Sequence, residues 1–443
     1  MALSQRKRLI APLALIGVAG IALAGCGAPG GPTGGGDDGD GGGDVSGETV
    51  TIYGTIVDDE AEKLQESWAD FEEETGIEIK YEGSQDFETQ LGTRAQGGNP
   101  PDIAIFPQPG LLADFASRDF LLPAPEAVEK NANEYWTEDW VNYGTVDGTF
   151  YGAPLMANVK GWIWYSPAKF AEWGVEVPTT LDELNTLTAT IQSATGAAPW
   201  CAGFESGTAT GWPGTDWIED YVLRQAGTDV YDQWAAGEVP FTDPQIKTAF
   251  DSVGEILLNP SYVNAGFGDV RSINSTAFGD VAPALASGDC ALTHQASFLS
   301  GFYPDGTNIA EDGDVWAFML PGETAGETTV TGGGEIVGAF SDSEATQQVL
   351  EYLSSPEWAN ARVSLGGVTS ANNGLDPANA QDPILQETIK ILQDPETTFR
   401  FDASDLMPGA VGAGTFWKGM VDWVNGTATD DVLAQIETGW PTE

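Results

Sequence analysis

One histidine, His294, and three cysteines, Cys26, Cys201 and Cys290, leave few reactive constellations open to this chain. A His–Cys zinc cluster or an HExxH helix needs more histidines than it holds. A Ser–His–Asp triad would have to pass through His294. What the chain has in quantity is tryptophan, 15 residues of it. The stretch SGTATGWPGTDWIEDYVL, Ser206 to Leu223, sets Trp212 and Trp217 in a run of Gly, Thr, Ser, Pro and Asp. An indole held at a loop offers a flat apolar face with only two torsions to fix, which suits stacking on the C–H face of a sugar. Trp212-Pro213-Gly214-Thr215 fits a type II turn that projects Trp212 from the scaffold. Asp216 then caps a helix ending near Gly227, with Glu219 three residues on. Trp162, Trp164, Trp200 and Trp417 are further candidates, and core packing competes for every one of these rings. A polar ligand stacked there would also need groups that donate and accept. Asn158, His294, Gln295 and Glu335 stand at probable crossings or just past strand ends, though His294 in a strand is equally a satisfied interior side chain.

The elements that must position these residues start near Glu48. TVTIYGTI alternates and is β-branched, a strand; apolar residues at helical spacing follow from Asp59 to Thr75, closed by Gly76. IEIKYEG is a second strand, Asp86 to Ala95 a second helix, PDIAIFP a third strand, and another helix starts at Pro109. This rhythm implies a parallel doubly wound sheet, whose ligands lie beyond the carboxyl ends of the strands. Asp58, Gln85, Asp86 and Gln108 stand at those ends; for Asp58 and Asp86, helix capping explains the position as well. Thr180 and Glu183 make a capping box. GAPLMANVKGWIWYSP and CALTHQASF read as crossings, AAPWCAGF as a strand, and four helices close the chain from Ser343 onward.

Charge and leader fix the setting. With 67 acidic and 17 basic residues the net charge is −50, so nucleic acid is not an expected partner. Arg6, Lys7 and Arg8 precede a short apolar run from Leu9 to Leu23 that ends in Leu23-Ala24-Gly25-Cys26, a leader resembling the bacterial lipoprotein box. Residues 1–25 are then a signal peptide and Cys26 the lipidation site, its two acyl chains giving stable anchoring. A Gly/Asp-rich tether runs over 26–47. Cys201 and Cys290 have a single possible pairing in an oxidising compartment, with two buried thiols as the alternative.

GNPPDIAIFPQPG, PWCAGFESGTATGWPGTDWIED, ALTHQASF and MPGAVGAGTFWKG together resemble the extracellular family 1 solute-binding lipoproteins of ABC sugar importers, most of all the α-glucoside-binding type. They span nearly all of the folded chain. The resemblance implies a two-lobe α/β fold of periplasmic-binding-protein type (type II), each lobe a sheet flanked by helices, closing on ligand about crossing strands. It divides the chain into 48–157 with 291–338, and 158–290 with 339–443. It further implies a monomeric receptor, not an enzyme, without cofactor or metal. That receptor would be exported and lipid-anchored to the outer face of the cytoplasmic membrane, passing an oligosaccharide to permease subunits. Two other classes fit parts of the sequence: a lipid-anchored glycoside hydrolase using two carboxylates, and a receptor for cations such as betaine or polyamines built on tryptophan and carboxylates.

Overall fold

The computed structural model describes residues 45–264 and 266–441. The leader, Cys26 and most of the tether lie outside the described residues.

Six strands build a large sheet. β1 (Thr49–Gly54) lies parallel to β2 (Glu78–Gly83) and to β3 (Ile103–Phe106), in register Val50↔Ile79 and Ile52↔Ile103. The expected strand–helix rhythm connects them: α1 (Asp58–Glu66) and α2 (Ala69–Thr75) lead to β2, α3 (Phe87–Gln96) leads to β3, and α4 (Pro109–Ser117) follows it. The first helical stretch breaks at Ser67–Trp68, where the fully buried Trp68 seats its indole in the core. Gly76 closes α2 in the left-handed conformation, as its position predicts.

The chain then leaves the sheet. β4 (Gly152–Val159) belongs to the large sheet, and β5 (Trp162–Tyr165), two residues later, to a separate three-stranded sheet. Its partners are β6 (Leu292–Gln295) and β7 (Trp316–Met319), in register Ile163↔His294 and Ile163↔Phe318. The long β8 (Thr329–Ala339) returns to the large sheet, where it pairs with β4 and β3 antiparallel and with β9 (Thr398–Phe401) parallel.

CALTHQASF is thus a strand inside the small sheet, and the return crossing falls between β7 and β8. The helices Glu344–Leu353 and Pro356–Ser364, grouped by the sequence division with the second lobe, bury Val349, Leu353 and Trp358 in one core with Ile52 and Ile103 of the large sheet and Leu64 of α1. The local pattern marks neither outcome: β8 reads TVTGGGEIVGA, whose letters do not show which strands it joins.

A second core gathers around the small sheet. Leu184, Leu187 and Ile191 of α5 (Leu181–Thr195) pack with Ile163, Trp200, Trp217 and Phe416. Thr180 caps α5 by accepting from the Glu183 N–H at 3.2 Å. AAPWCAGF is irregular rather than a strand. Trp200 N–H donates to Tyr262 O and Cys201 N–H to Leu292 O, so the segment is shared between two neighbours. Cys201 and Cys290 form a disulfide with Cα atoms 5.7 Å apart.

Candidate functional site

Trp212 is the first residue of α6 (Trp212–Ala226), not the corner of a type II turn. Pro213 occupies the first turn, where its missing N–H costs nothing. Gly211 supplies the bend at φ 118°, and a Cβ there would stand 2.3 Å from the Trp417 carbonyl oxygen. The helix therefore starts pressed against Trp417, and Trp212 sits half-buried at its entrance. Its ring meets Phe278 at 5.1 Å and Phe298 at 6.1 Å, and Phe278 in turn meets the exposed Phe302 at 5.2 Å. The Lys160 ammonium lies 4.8 Å from the indole centroid.

Because the helix is already under way at 212, Asp216 and Glu219 are interior residues, not a cap and capping box. Asp216, Glu219 and Asp220 share one helix face at i, i+3 and i+4 and are at most 2% exposed. Lys160, between β4 and β5, places its Nζ 2.8 Å from both Asp216 carboxylate oxygens and 3.0 Å from Asp402 Oδ2, just past β9. Glu219 accepts from the Ser404 N–H at 2.9 Å. Asp220 holds His294 Nε2 at 2.7 Å and accepts from the Thr331 hydroxyl. Gly161 lets β5 begin here, since a Cβ would come 2.6 Å from the Asp220 carboxylate.

The charges settle around Lys160. Burial pushes the Asp216, Glu219 and Asp405 carboxyls well above the usual range, more than the Lys160 charge lowers them. For Asp402 burial acts in the same sense. It is outweighed by Lys160 and by hydrogen bonds from Glu219, Asp216 and Ser404, so Asp402 is the carboxylate of the group. Burial would lower Lys160, but Asp216, Asp402 and Asp405 hold it above its ordinary value. Asp216, Glu219 and Asp402 bring carboxylate oxygens within 4.8 Å of one another, a metal-like spacing. The Lys160 ammonium already supplies the countercharge at two of them.

The sequence candidates separate into two groups. Trp200 and Trp217 are 0% and 1% exposed and meet edge to face with centroids 5.2 Å apart, with Trp217 4.5 Å from His294. Trp200 donates its Nε1–H to Thr188. Both rings are spent on packing, and neither presents a face. Gln295 turns its side chain back to accept from the Ala296 N–H. Trp162 and Trp164 are likewise buried.

Other candidates lie along β4 and β8, around Lys160. Asn158 in β4 faces Gly333 in β8, and Glu335 stands two residues further along that strand. Gly333 has no side chain to fill the gap: a Cβ there would lie 3.4 Å from Lys160 Cε and 3.6 Å from Asn158 Nδ2. Asn158 Oδ1, Gln108 Oε1, Trp417 Nε1 and His294 Nδ1 are buried with no hydrogen-bond partner among the described residues. Such atoms are uncommon and call for an explanation. Burial raises the Glu335 carboxyl to about 7, against the opposing charges of Arg362 and Lys160. Gln85 is exposed, and its carbonyl accepts from Thr208 Oγ1 at 2.9 Å, tying the end of β2 to the loop that leads into α6. Asp58 and Asp86 are exposed and neither side chain caps its helix; Asp58 has φ 53°.

Comparison with known proteins accounts for this architecture. Residues 57–360 match the family model described as bacterial extracellular solute-binding protein. The chain belongs to that family. The osmoprotective compounds-binding protein GgtB of Synechocystis sp. is 39% identical over 403 residues, covering 90% of this chain and 94% of that protein. The alpha-glucosides-binding periplasmic protein AglE of Rhizobium meliloti is 38% identical over 411 residues, covering 90% and 88%. Among solved structures, a chitin oligosaccharide binding protein aligns with a TM-score of 0.74 at 19% identity, covering 89% of this chain and 98% of that one. RafE in complex with raffinose aligns at 0.69 and 20%, covering 88% and 98%. The fold is therefore the two-lobe α/β fold of the solute-binding components of ABC importers, and the family is one of binding proteins.

Sequence reading missed Lys160, Asp402, Phe278 and Phe298. Lys160 had a signal: it is the lone charge in the apolar run MANVKGWIW. The two phenylalanines had none, since their short 3₁₀ segments carry no periodicity.

Proposed function

We propose that this protein is a lipid-anchored receptor that binds a neutral α-glucoside or related small oligosaccharide and delivers it to permease subunits of an ABC importer. The observation that carries the reading is the half-buried indole of Trp212, flanked by Phe278 and Phe298 and by Lys160, on whose other side stand Gly333 and Asn158. Sugars need an apolar face and groups able to donate and accept, and the partnerless Asn158 Oδ1, Gln108 Oε1 and Trp417 Nε1 are able to do so. The name of AglE supports the ligand class, while that of GgtB gives the wider class of osmoprotective compounds. A cationic ligand fits less well. The ring already has an ammonium at 4.8 Å, and the buried carboxylates close to it are engaged by Lys160. Attachment through Cys26, export and a monomeric state belong to the same proposal.

Calorimetry against maltose, trehalose, sucrose, glycine betaine and spermidine tests it. An α-linked disaccharide should bind with little dependence on ionic strength. Trp212→Ala should weaken that binding by about 5- to 150-fold, the range expected for loss of ~1–3 kcal/mol of stacking. Salt-sensitive binding of the amines with no sugar binding would refute the reading.

A further inference from the structure

Three chain segments pass between the large sheet and the core around α6: Lys160–Gly161 after β4, the start of β8 at Thr329–Thr331, and Asp402 after β9. Side chains of α6 grip all three. Asp216 takes Lys160 on the first, Asp220 takes Thr331 on the second, and Glu219 takes the Ser404 N–H just beyond the third. The segments also hold one another: Lys160 N–H donates to Thr331 O, and Asp402 N–H to Gly332 O. Trp212 opens this same helix.

One residue belongs to both halves of the arrangement. Lys160 is 6% exposed, and its Nζ meets Asp216, Asp402 and the indole of Trp212 together. A buried ammonium held between two acid side chains is weak evidence for stability, because well-packed apolar groups often serve as well there. What those groups would lack is direction. The ammonium is fixed by bonds from two segments distant in sequence, and the ring is fixed against the ammonium.

We propose that Lys160 is a positioning residue that ties the Trp212 ring to the interlobe connections, so that the ligand platform is set by the hinge and not by the loop before α6. The proposal rests on Trp212 being the ligand platform. It makes the orientation of Trp212 depend on a residue that itself need not touch ligand. Other groups facing Lys160 are Asp405 and Glu335, both within its electrostatic reach.

The test uses the mature chain labelled with 5-fluorotryptophan, read by ¹⁹F NMR, with Trp212→Phe assigning the signal. Lys160→Met alone strands a buried carboxylate and risks unfolding, so the working variant is the charge-balanced Lys160→Met/Asp402→Asn, with Lys160→Arg as the conservative partner. The Trp212 resonance should shift and broaden in the double variant, keep its width in Lys160→Arg, and leave the Trp200 and Trp217 signals in place. An unchanged Trp212 signal in a folded double variant overturns the proposal, as does a disturbance shared by all tryptophans. Should the double variant not fold, Asp216→Ala, which removes the acceptor on one side of the ammonium, is read by the same criteria. The functional arm uses maltose. Trp212→Ala should weaken maltose binding at least about threefold less in the double variant than in the wild type, the non-additivity of residues acting as a unit. Equal penalties would mean that Lys160 does not act through the ring. If wild-type protein ignores maltose, the ligand assignment is in question while the ¹⁹F result still decides the role of Lys160.

Discussion

Replacing Glu335 by Gln should change the pH dependence of stability in a direction the structure dictates. Glu335 lies in β8 opposite Met156 and keeps partial access to solvent. Burial nonetheless raises its carboxyl from 4.5 to about 7, with Arg362 and Lys160 pulling the other way. The folded protein thus retains a proton that the unfolded chain loses near 4.5. Stability from this group is fully present below about pH 4.5 and is lost as the pH rises toward about 7, then stays flat. The displacement corresponds to about 3 kcal/mol, an upper figure because residual solvent contact screens the group. Glutamine keeps the shape and cannot ionise. Wild type and Glu335→Gln should therefore be close in stability near pH ~4.5, with the variant gaining up to about 2–3 kcal/mol above pH ~7. Urea unfolding of both proteins across that range at constant ionic strength gives the difference from midpoints at a shared slope. A difference that does not vary with pH would refute the reasoning. It would mean that Arg362, which is buried and also bonds Glu60 at 2.6 Å, keeps Glu335 ionised in the folded state.

Two further outcomes are expected. Opening the Cys201–Cys290 bridge by the double serine variant should cost about 4–5 kcal/mol on the chain-entropy model for a separation of 89 residues, measured as a drop in unfolding free energy; an unchanged midpoint would show that the core alone holds these segments. Cys26→Ser should release the protein from membranes into the medium, and retention of the variant in the membrane fraction would place the anchor elsewhere.

The order of elements was largely legible because most of the chain obeys local rules. β1 to β3 alternate or run apolar, and each lies where its pattern puts it. The closing helices, Glu344–Leu353, Pro356–Ser364, Trp417–Val424 and Thr429–Glu437, start and stop within about two residues of the sequence expectation. Legibility failed where one segment answers to two distant neighbours. AAPWCAGF has strand composition, but its backbone bonds split between Tyr262 and Leu292, so no ladder forms. β8 is a single strand by pattern and serves three partners at once. No local rule distinguishes those cases from an ordinary strand.

The site was half legible, and the half that failed shows why. Trp-Pro-Gly supports a type II turn and a helix start equally well, since both want Pro early and tolerate Gly next. Choosing the turn made Asp216 a cap. Choosing the helix start moves it inward by one turn and puts Asp216, Glu219 and Asp220 on a single buried face. What decides between them is the partners, and these lie 56 residues away at Lys160, 74 at His294, 111 at Thr331 and 185 at Ser404. A carboxylate at a helix start and a carboxylate in a charged interior are the same letter in the sequence. The cost of burying three acids on one helix face is met only if a cation and hydrogen-bond donors converge from elsewhere. Here the lone charge in MANVKGWIW was that cation. An isolated lysine between two apolar strands has few ways to be satisfied, and acids on a buried helix face have few as well. Pairing those two unsatisfied demands is the step by which the sequence could have placed Trp212 beside Lys160.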